Sequence, residues 1–396
     1  MTRWEALTTI CSYLRAGLLG GERAPERDTA WELIIEVASF HLVTPALAQC
    51  LDLAADVPRE IREYFESAGT LNAKRNELML AALARITGLL NAIDIEPVLL
   101  KGAAHLVEGT YPDPSWRILG DLDILVPASR SQEVVAALQA AGFGTKPSDV
   151  VPPPTHQHLP MLHDPETDMG VELHTEVMDR SPDHVISTRW FCETTRPALF
   201  RNQRVRLPEP TRHAGHTIFH SELFHQNYLL NKIHLRHLLD LIAIRARHED
   251  AIDWGELDRR YAAAGYGEVL AAYLDFADAL FDQPAPKLSH APRSDAMAEL
   301  REAESRDSFQ FHIEFLKKKC DHLQTALSLM TADRDRLQSE AERLHASYAA
   351  VEADRNALQA VAQASERQLA QILMSRSWRL TGPLRTLVAA SRRWRR

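Results

Sequence analysis

Asp121 and Asp123 stand two residues apart in Arg117-Ile-Leu-Gly-Asp-Leu-Asp-Ile-Leu-Val126. The aliphatic residues around them read as a largely buried strand. On a strand, side chains two apart point to the same face. Two carboxylates side by side in a poorly solvated place raise each other's pKa, and a cation relieves that cost. Mg²⁺ prefers carboxylate oxygens and leaves positions open for substrate phosphates. An Asp-x-Asp on an apolar strand is therefore a metal clamp suited to phosphoryl or nucleotidyl transfer. The same short pattern also occurs at strand ends whose acids face solvent, so the flanking residues must decide.

Upstream, Glu96-Pro-Val-Leu-Leu-Lys101-Gly102-Ala-Ala-His-Leu-Val107 reads as strand, glycine turn and helix. A helix start offers free N–H groups and a positive dipole end to a phosphate. Lys101 adds a point charge there. Downstream, residues 156–163 and 171–177 flank the turn-rich Asp164-Pro-Glu-Thr-Asp-Met-Gly170 and read as a hairpin. The alternation in Val171-Glu-Leu-His-Thr-Glu-Val177 puts Glu172, His174 and Glu176 on one face.

This succession resembles the bacterial "uncharacterised nucleotidyltransferase" family: Leu-Lys-Gly, Tyr111, Arg117, Gly-Asp-Leu-Asp-Ile-Leu-Val, then Val-Glu-Leu-His. That family belongs to the nucleotidyltransferase-fold superfamily, with the polymerase-beta-like and aminoglycoside nucleotidyltransferases. The match covers roughly residues 30–250. It implies an α+β fold in which a small mixed sheet is flanked by helical regions. It further implies Asp121 and Asp123 as metal ligands, Glu172 as the third catalytic acid, and Gly102 at the glycine turn. Lys101, Gly102, Arg117 and His174 are the nucleotide-contact candidates. The chain departs from the superfamily at Lys101-Gly102-Ala103, where a Gly-Ser pair would offer a hydroxyl to the triphosphate. The implied cofactor is Mg²⁺ in a two-metal site, with an NTP as substrate. Inline attack of a hydroxyl acceptor on the α-phosphate would release pyrophosphate.

At 396 residues the chain accommodates two domains and an appendage. Hydrophobic content of 45% and charged content of 25% are those of an ordinary soluble protein. A net charge of -9 disfavours bulk nucleic acid as partner. Cys11, Cys50, Cys192 and Cys320 have neither zinc-site nor disulfide-framework spacing, and suit a reducing compartment. The first residues lack the apolar core of a signal peptide, and no stretch has the ~20 apolar residues of a membrane span. The expected location is cytoplasmic, with attachment at the inner membrane face left open.

Six segments follow. Residues 1–95 are helical by apolar period, 96–210 hold the strands and acids, and 211–282 return to helices. Residues 283–305 begin with a Pro-containing stretch and read as a linker. Residues 306–373 read as a coiled coil. Leu316, Leu323, Met330, Leu337, Leu344, Val351, Leu358 and Ile372 recur every seven residues, with Ser365 the one break. A second row runs through Ile313, Cys320, Leu327, Arg334, Ala341, Tyr348, Arg355, Ala362 and Leu369. Self-association through residues 313–372 is the expected consequence, and a single helix folded back on the globular part is the alternative. Residues 374–396 carry seven Arg and no acid, interleaved with Trp378, Trp394 and aliphatics. That composition suits an anionic membrane surface, or a solvated basic end. Its Ser377-Trp-Arg-Leu-Thr-Gly-Pro-Leu-Arg385 also resembles tails of enzymes that build cell-surface polysaccharides.

Several other residues carry two readings. Arg117 either neutralises phosphate or pairs with an acid. Glu172 either completes the metal site or serves as general base for the acceptor hydroxyl. His156, His158 and His163 do not share one face, which disfavours zinc. His213, His216, His220, His225, His234 and His237 suit packing and pocket lining more than metal. Asp240 lies among helix-period leucines and either needs a partner, with Arg236 at i, i+4 the local candidate, or takes a place in the substrate cleft. Two functional alternatives stand beside nucleotidyl transfer. One is a silent nucleotide-binding scaffold associated with cell-surface polysaccharide assembly, and the other is a nucleotidylating toxin.

Overall fold

The computed structural model describes residues 1–21, 30–51, 57–146, 149, 157–178, 185–305 and 308–374. The chain divides into two units, Met1–Leu316 and Lys317–Arg396.

The first unit is α+β. Its described strands are β1 (Val98–Leu99), β2 (Leu122–Leu125), β3 (Leu162–His163), β4 (Gly170–His174), β5 (Arg196–Phe200) and β6 (Gln203–Leu207). They form one mixed sheet in the order β3-β4-β2-β1-β6-β5. β2 runs parallel to β4, and β1 to β6; the other neighbours are antiparallel. Helices α1 (Arg3–Leu19), α2 (Trp31–Phe40), α3 (Thr44–Cys50) and α4 (Arg59–Ala92) precede the sheet. Helix α5 (Lys101–Glu108) follows β1, α6 (Ser131–Ala140) follows β2, and α7 (Thr188–Cys192) precedes β5. Helices α8 (Pro210–Phe219), α9 (Leu235–His248), α10 (Trp254–Ala263), α11 (Gly267–Phe281) and α12 (Ala296–Ser305) follow β6.

Alternation along the central strands splits the unit into two cores. Leu122 and Ile124 of β2, with Val171 and Leu173 of β4, point to one face. There they pack with Met79, Leu83, Ile86 and Leu90 of α4 and Val134 and Leu138 of α6. The residues between them, Asp123, Glu172 and His174, are turned to the opposite face. The second core joins the two ends of the unit: Ile10 and Leu14 of α1 are buried with Leu238 and Ile242 of α9, Leu274 of α11 and Leu300 of α12.

Two features differ from the sequence reading. The stretch taken as a linker, 283–305, contains α12, whose Leu300 and Glu304 are buried. Its apolar face is too short for a periodic signal but suffices against α1. The hairpin arms are also shorter than expected. β4 ends at His174, and Glu176 leaves the strand face to accept a hydrogen bond from the Thr188 hydroxyl.

The described part of the second unit is one helix, the continuation of α13 (Ser308–Met374). No glycine or proline interrupts it. Leu337, Leu344, Tyr348, Val351 and Leu358 of the heptad rows are exposed on it. The basic end, 375–396, lies outside the described residues.

Candidate functional site

Strand register brings the acids together. Asp123 of β2 stands opposite Glu172 of β4, and Leu125 opposite His174. Asp121 immediately precedes β2. Asp121, Asp123 and Glu172 line one cavity of about 360 Å³, together with Lys101, Gly102 and Arg117, and His174 adjoins it through its contact with Asp123. All seven residues singled out from the sequence therefore meet at one place.

The hydrogen bonds within it are specific. Asp123 Oδ1 accepts from Lys101 Nζ at 2.7 Å and from His174 Nε2 at 2.9 Å. His174 Nε2 also lies 3.6 Å from Glu172 Oε2, and His158 Nε2 lies 3.5 Å from Glu172 Oε1. Burial alone would raise the pKa of Asp123, but Lys101 and His174 outweigh it and hold the carboxylate below its usual range. Burial would likewise lower His174, yet its bonds to Asp123 and Glu172 raise it. Asp121 has no ion-pair partner among the described residues. Burial first, then the charges of Asp123 and Glu172, push it up to about 6.

These residues fit a divalent cation. Three carboxylates converge, against Lys101 and His174 as nearby balancing groups, and oxygen donors are the set that hard cations select. One ligand atom each from Asp123, Glu172 and His174 lies within 4.8 Å of the others. The His174 Nε2 proton is shared with Asp123 and Glu172, so His174 holds these carboxylates in place and the candidate oxygen donors are Asp121, Asp123 and Glu172.

Lys101 opens α5 with φ +44°, a left-handed conformation uncommon for a residue with a side chain. Leu100 precedes it and gives the first-turn N–H groups no side-chain cap. Gly102 lines the cavity, and close packing favours glycine there: a Cβ would meet Leu119 Cγ at 2.9 Å. Arg117 resolves to an ion pair. Its Nε donates to Asp240 Oδ1 at 2.7 Å, and the Tyr111 hydroxyl donates to the same oxygen at 2.6 Å. Burial would raise Asp240, but Arg117 brings it down to about 2. Asp240 is therefore served by Arg117 and Tyr111 rather than by Arg236.

Arg236 instead donates to His237 Nε2 at 3.1 Å and lines the cavity. Its Nε is buried without a hydrogen-bond partner, and no carboxylate pairs with it among the described residues. Burial, then Arg117, lowers its pKa to about 10, which leaves it cationic at neutral pH. The zinc reading of the hairpin histidines finds no support. His163 pairs with Asp149 at 3.1 Å, His158 faces Glu172, and His156 lies outside the described residues.

A second layer holds the acidic segment in place. From α4, Asn72 and Asn76 Nδ2 donate to the carbonyls of Ser115, Pro114 and Arg117, and Arg75 donates to those of Leu119 and Gly120. The sequence reading missed these anchors. Their signal is two buried asparagines four apart on an otherwise apolar helix stripe.

The model of a family described as "Uncharacterised nucleotidyltransferase" matches residues 27–282. Among solved structures, the chain is similar to the antibiotic-resistance factor ANT(2'')-Ia, at 11% identity and a TM-score of 0.33, covering 46% of this chain and 89% of that one. It is also similar to an antigenic nucleotidyltransferase-like protein from Paracoccidioides brasiliensis, at 16% identity and a TM-score of 0.34, covering 56% of this chain and 96% of that one. No curated protein matches the chain.

Proposed function

We propose that this chain, which belongs to the uncharacterised nucleotidyltransferase family, transfers a nucleotidyl group from an NTP to a hydroxyl acceptor, using Mg²⁺ at Asp121, Asp123 and Glu172. The observation that carries this reading is the convergence of those carboxylates on one wall of a cavity that Arg236 also lines. Mg²⁺ bound there would supply Lewis-acid polarisation of the α-phosphate and lower the pKa of the attacking hydroxyl.

The chain's own residues have separable tasks. Arg236 offers a half-buried guanidinium to phosphate oxygens, a geometry Arg suits better than Lys. The uncapped start of α5 offers N–H groups to the same anion. Lys101 neutralises Asp123 until a cation takes that role, and then meets the polyphosphate. His174 orients Asp123 and Glu172. Arg117, through Asp240, positions the strand that carries the aspartates. Glu172 is the general-base candidate for the acceptor hydroxyl.

The second unit supports a further part of the reading. An exposed heptad seam along α13 is an apolar stripe in need of a partner, and a second copy of the same helix supplies one. Among the described residues no helix is long and apolar enough to cross a membrane.

The test is thermal unfolding with each NTP, with and without Mg²⁺, on the natural chain and on an Asp121→Asn/Asp123→Asn variant. A ligand at 100 times its Kd stabilises by roughly 2.7 kcal/mol. A Mg²⁺-dependent rise with one NTP, absent in the variant, supports the reading and names the donor. No response to any nucleotide defeats it and favours the scaffold alternative.

A further inference from the structure

Beyond the carboxylates, the cavity carries a second group of potential ligands. His220, His225 and His237 all line it, and one nitrogen from each lies within 4.8 Å of the others. The backbone has an unusual local form there. After α8, residues His220–Phe224 make a π-helical turn, closed by His225 N–H donating to His220 O at 3.1 Å. In an ordinary α-helix, residues five apart diverge around the axis. The wider π-turn stacks them, and the rings of His220 and His225 come to 4.4 Å between centroids. Such turns are rare and gather at functional sites. His237, in the first turn of α9, completes the group with ring centroids 5.4 Å from both. Its Nε2 accepts from Arg236 and its Nδ1 is buried with no hydrogen-bond partner, so a metal takes Nε2 in place of the Arg236 donor, which then turns to the cavity it lines.

We propose that His220, His225 and His237 form a three-imidazole site for a zinc-class divalent ion on the cavity wall, distinct from the carboxylate site. Imidazole donors select zinc-class ions over magnesium, so the two sites sort metals by donor type. Zn–N bonds of about 2.0–2.1 Å require the donors to draw closer than 4.8 Å when the ion binds. Burial holds His220 and His237 in the neutral form that ligation needs. Three protein ligands leave a fourth position for water or an anionic group of the substrate. The proposal is independent of nucleotidyl transfer.

The test uses the full chain stripped with chelator and titrated with Co²⁺, then with Zn²⁺ in competition. One equivalent of Co²⁺ should give the intense visible absorption of a tetrahedral complex, and Zn²⁺ should abolish it. His225→Gln changes an exposed residue and should weaken binding by more than about tenfold with unchanged thermal unfolding. Asp121→Asn/Asp123→Asn should leave the absorption intact. Absence of the band in the natural chain overturns the proposal. So does a band that survives His225→Gln, or one lost in the aspartate variant, which would place the ion at the carboxylates.

Discussion

Lys101 Nζ lies 2.7 Å from Asp123 Oδ1, so the lysine proposed to meet phosphate holds the very oxygen proposed to meet metal. The two roles compete. Lys101→Met should tighten Mg²⁺ binding in the absence of nucleotide, because no ammonium has to be displaced. Hydrogen bonds to charged groups contribute about 1.5–3 kcal/mol, which sets the gain at roughly ten- to a hundredfold. NTP binding in the presence of Mg²⁺ should weaken in the same variant. Calorimetric titration measures both, and an unchanged Mg²⁺ affinity would show that the pair does not gate the metal.

The protonation of Asp121 predicts a pH dependence with a defined sign. The folded chain holds a proton on this group up to about pH 6, while an unfolded aspartate loses it near its ordinary value. This residue's contribution to stability is therefore full at low pH and is lost as pH rises from about 4 to about 6. Mg²⁺ requires the ionised carboxylate. Its stabilising effect should be small at about pH 5, grow through about pH 6 and level off above about pH 7. Thermal unfolding at fixed Mg²⁺ across that range checks it. Asp121→Asn should flatten the profile, and a profile unaltered by this substitution refutes the assignment.

The Arg117–Asp240 pair should act as a structural bolt. Removing one partner of a buried ion pair costs about 3–5 kcal/mol, because the other charge is left uncompensated. Asp240→Asn should lower the chain's stability by that order in urea unfolding. Arg117→Met combined with Asp240→Leu should cost less than Asp240→Asn alone. If the double variant is the less stable of the two, the pair does more than neutralise itself.

For the second unit, the heptad seam predicts self-association. Sedimentation of the full chain should give a dimer at micromolar concentration. Leu344→Lys with Leu358→Lys, both at exposed positions, should yield a monomer with the first unit's thermal transition unchanged. A monomeric natural chain would remove the second copy as the partner of α13.

Much of the site is written in local pattern. The alternation of Leu122, Asp123, Ile124 and of Val171, Glu172, Leu173 fixes which face each side chain takes, and a parallel register then aligns the acids. Distant pairings have no such signature. Local spacing offered Arg236 to Asp240, whereas the fold delivers Arg117 from 123 positions away. Nothing in the neighbourhood of either residue encodes that choice; it follows from how α9 lies against the segment before β2. The role of Asn72 and Asn76 is hidden for the same reason, since the carbonyls they serve belong to a loop some forty residues later. Residues 283–305 misled because composition near Pro284 and Pro286 dominated the short apolar face of α12.

The core shared by α1, α9, α11 and α12 has a consequence for biosynthesis. Helix α1 leaves the ribosome long before α12, yet its buried face is completed only when α12, ending at Ser305, has emerged. The strands and their α4–α6 cover are complete in sequence by β6, and α9, which brings Asp240 to Arg117, also precedes α12. During translation α1 must wait with apolar surface uncovered, the condition that recruits chaperones. A nascent chain arrested between α11 and α12 should therefore already hold its acid-bearing strands while α1 is still undocked.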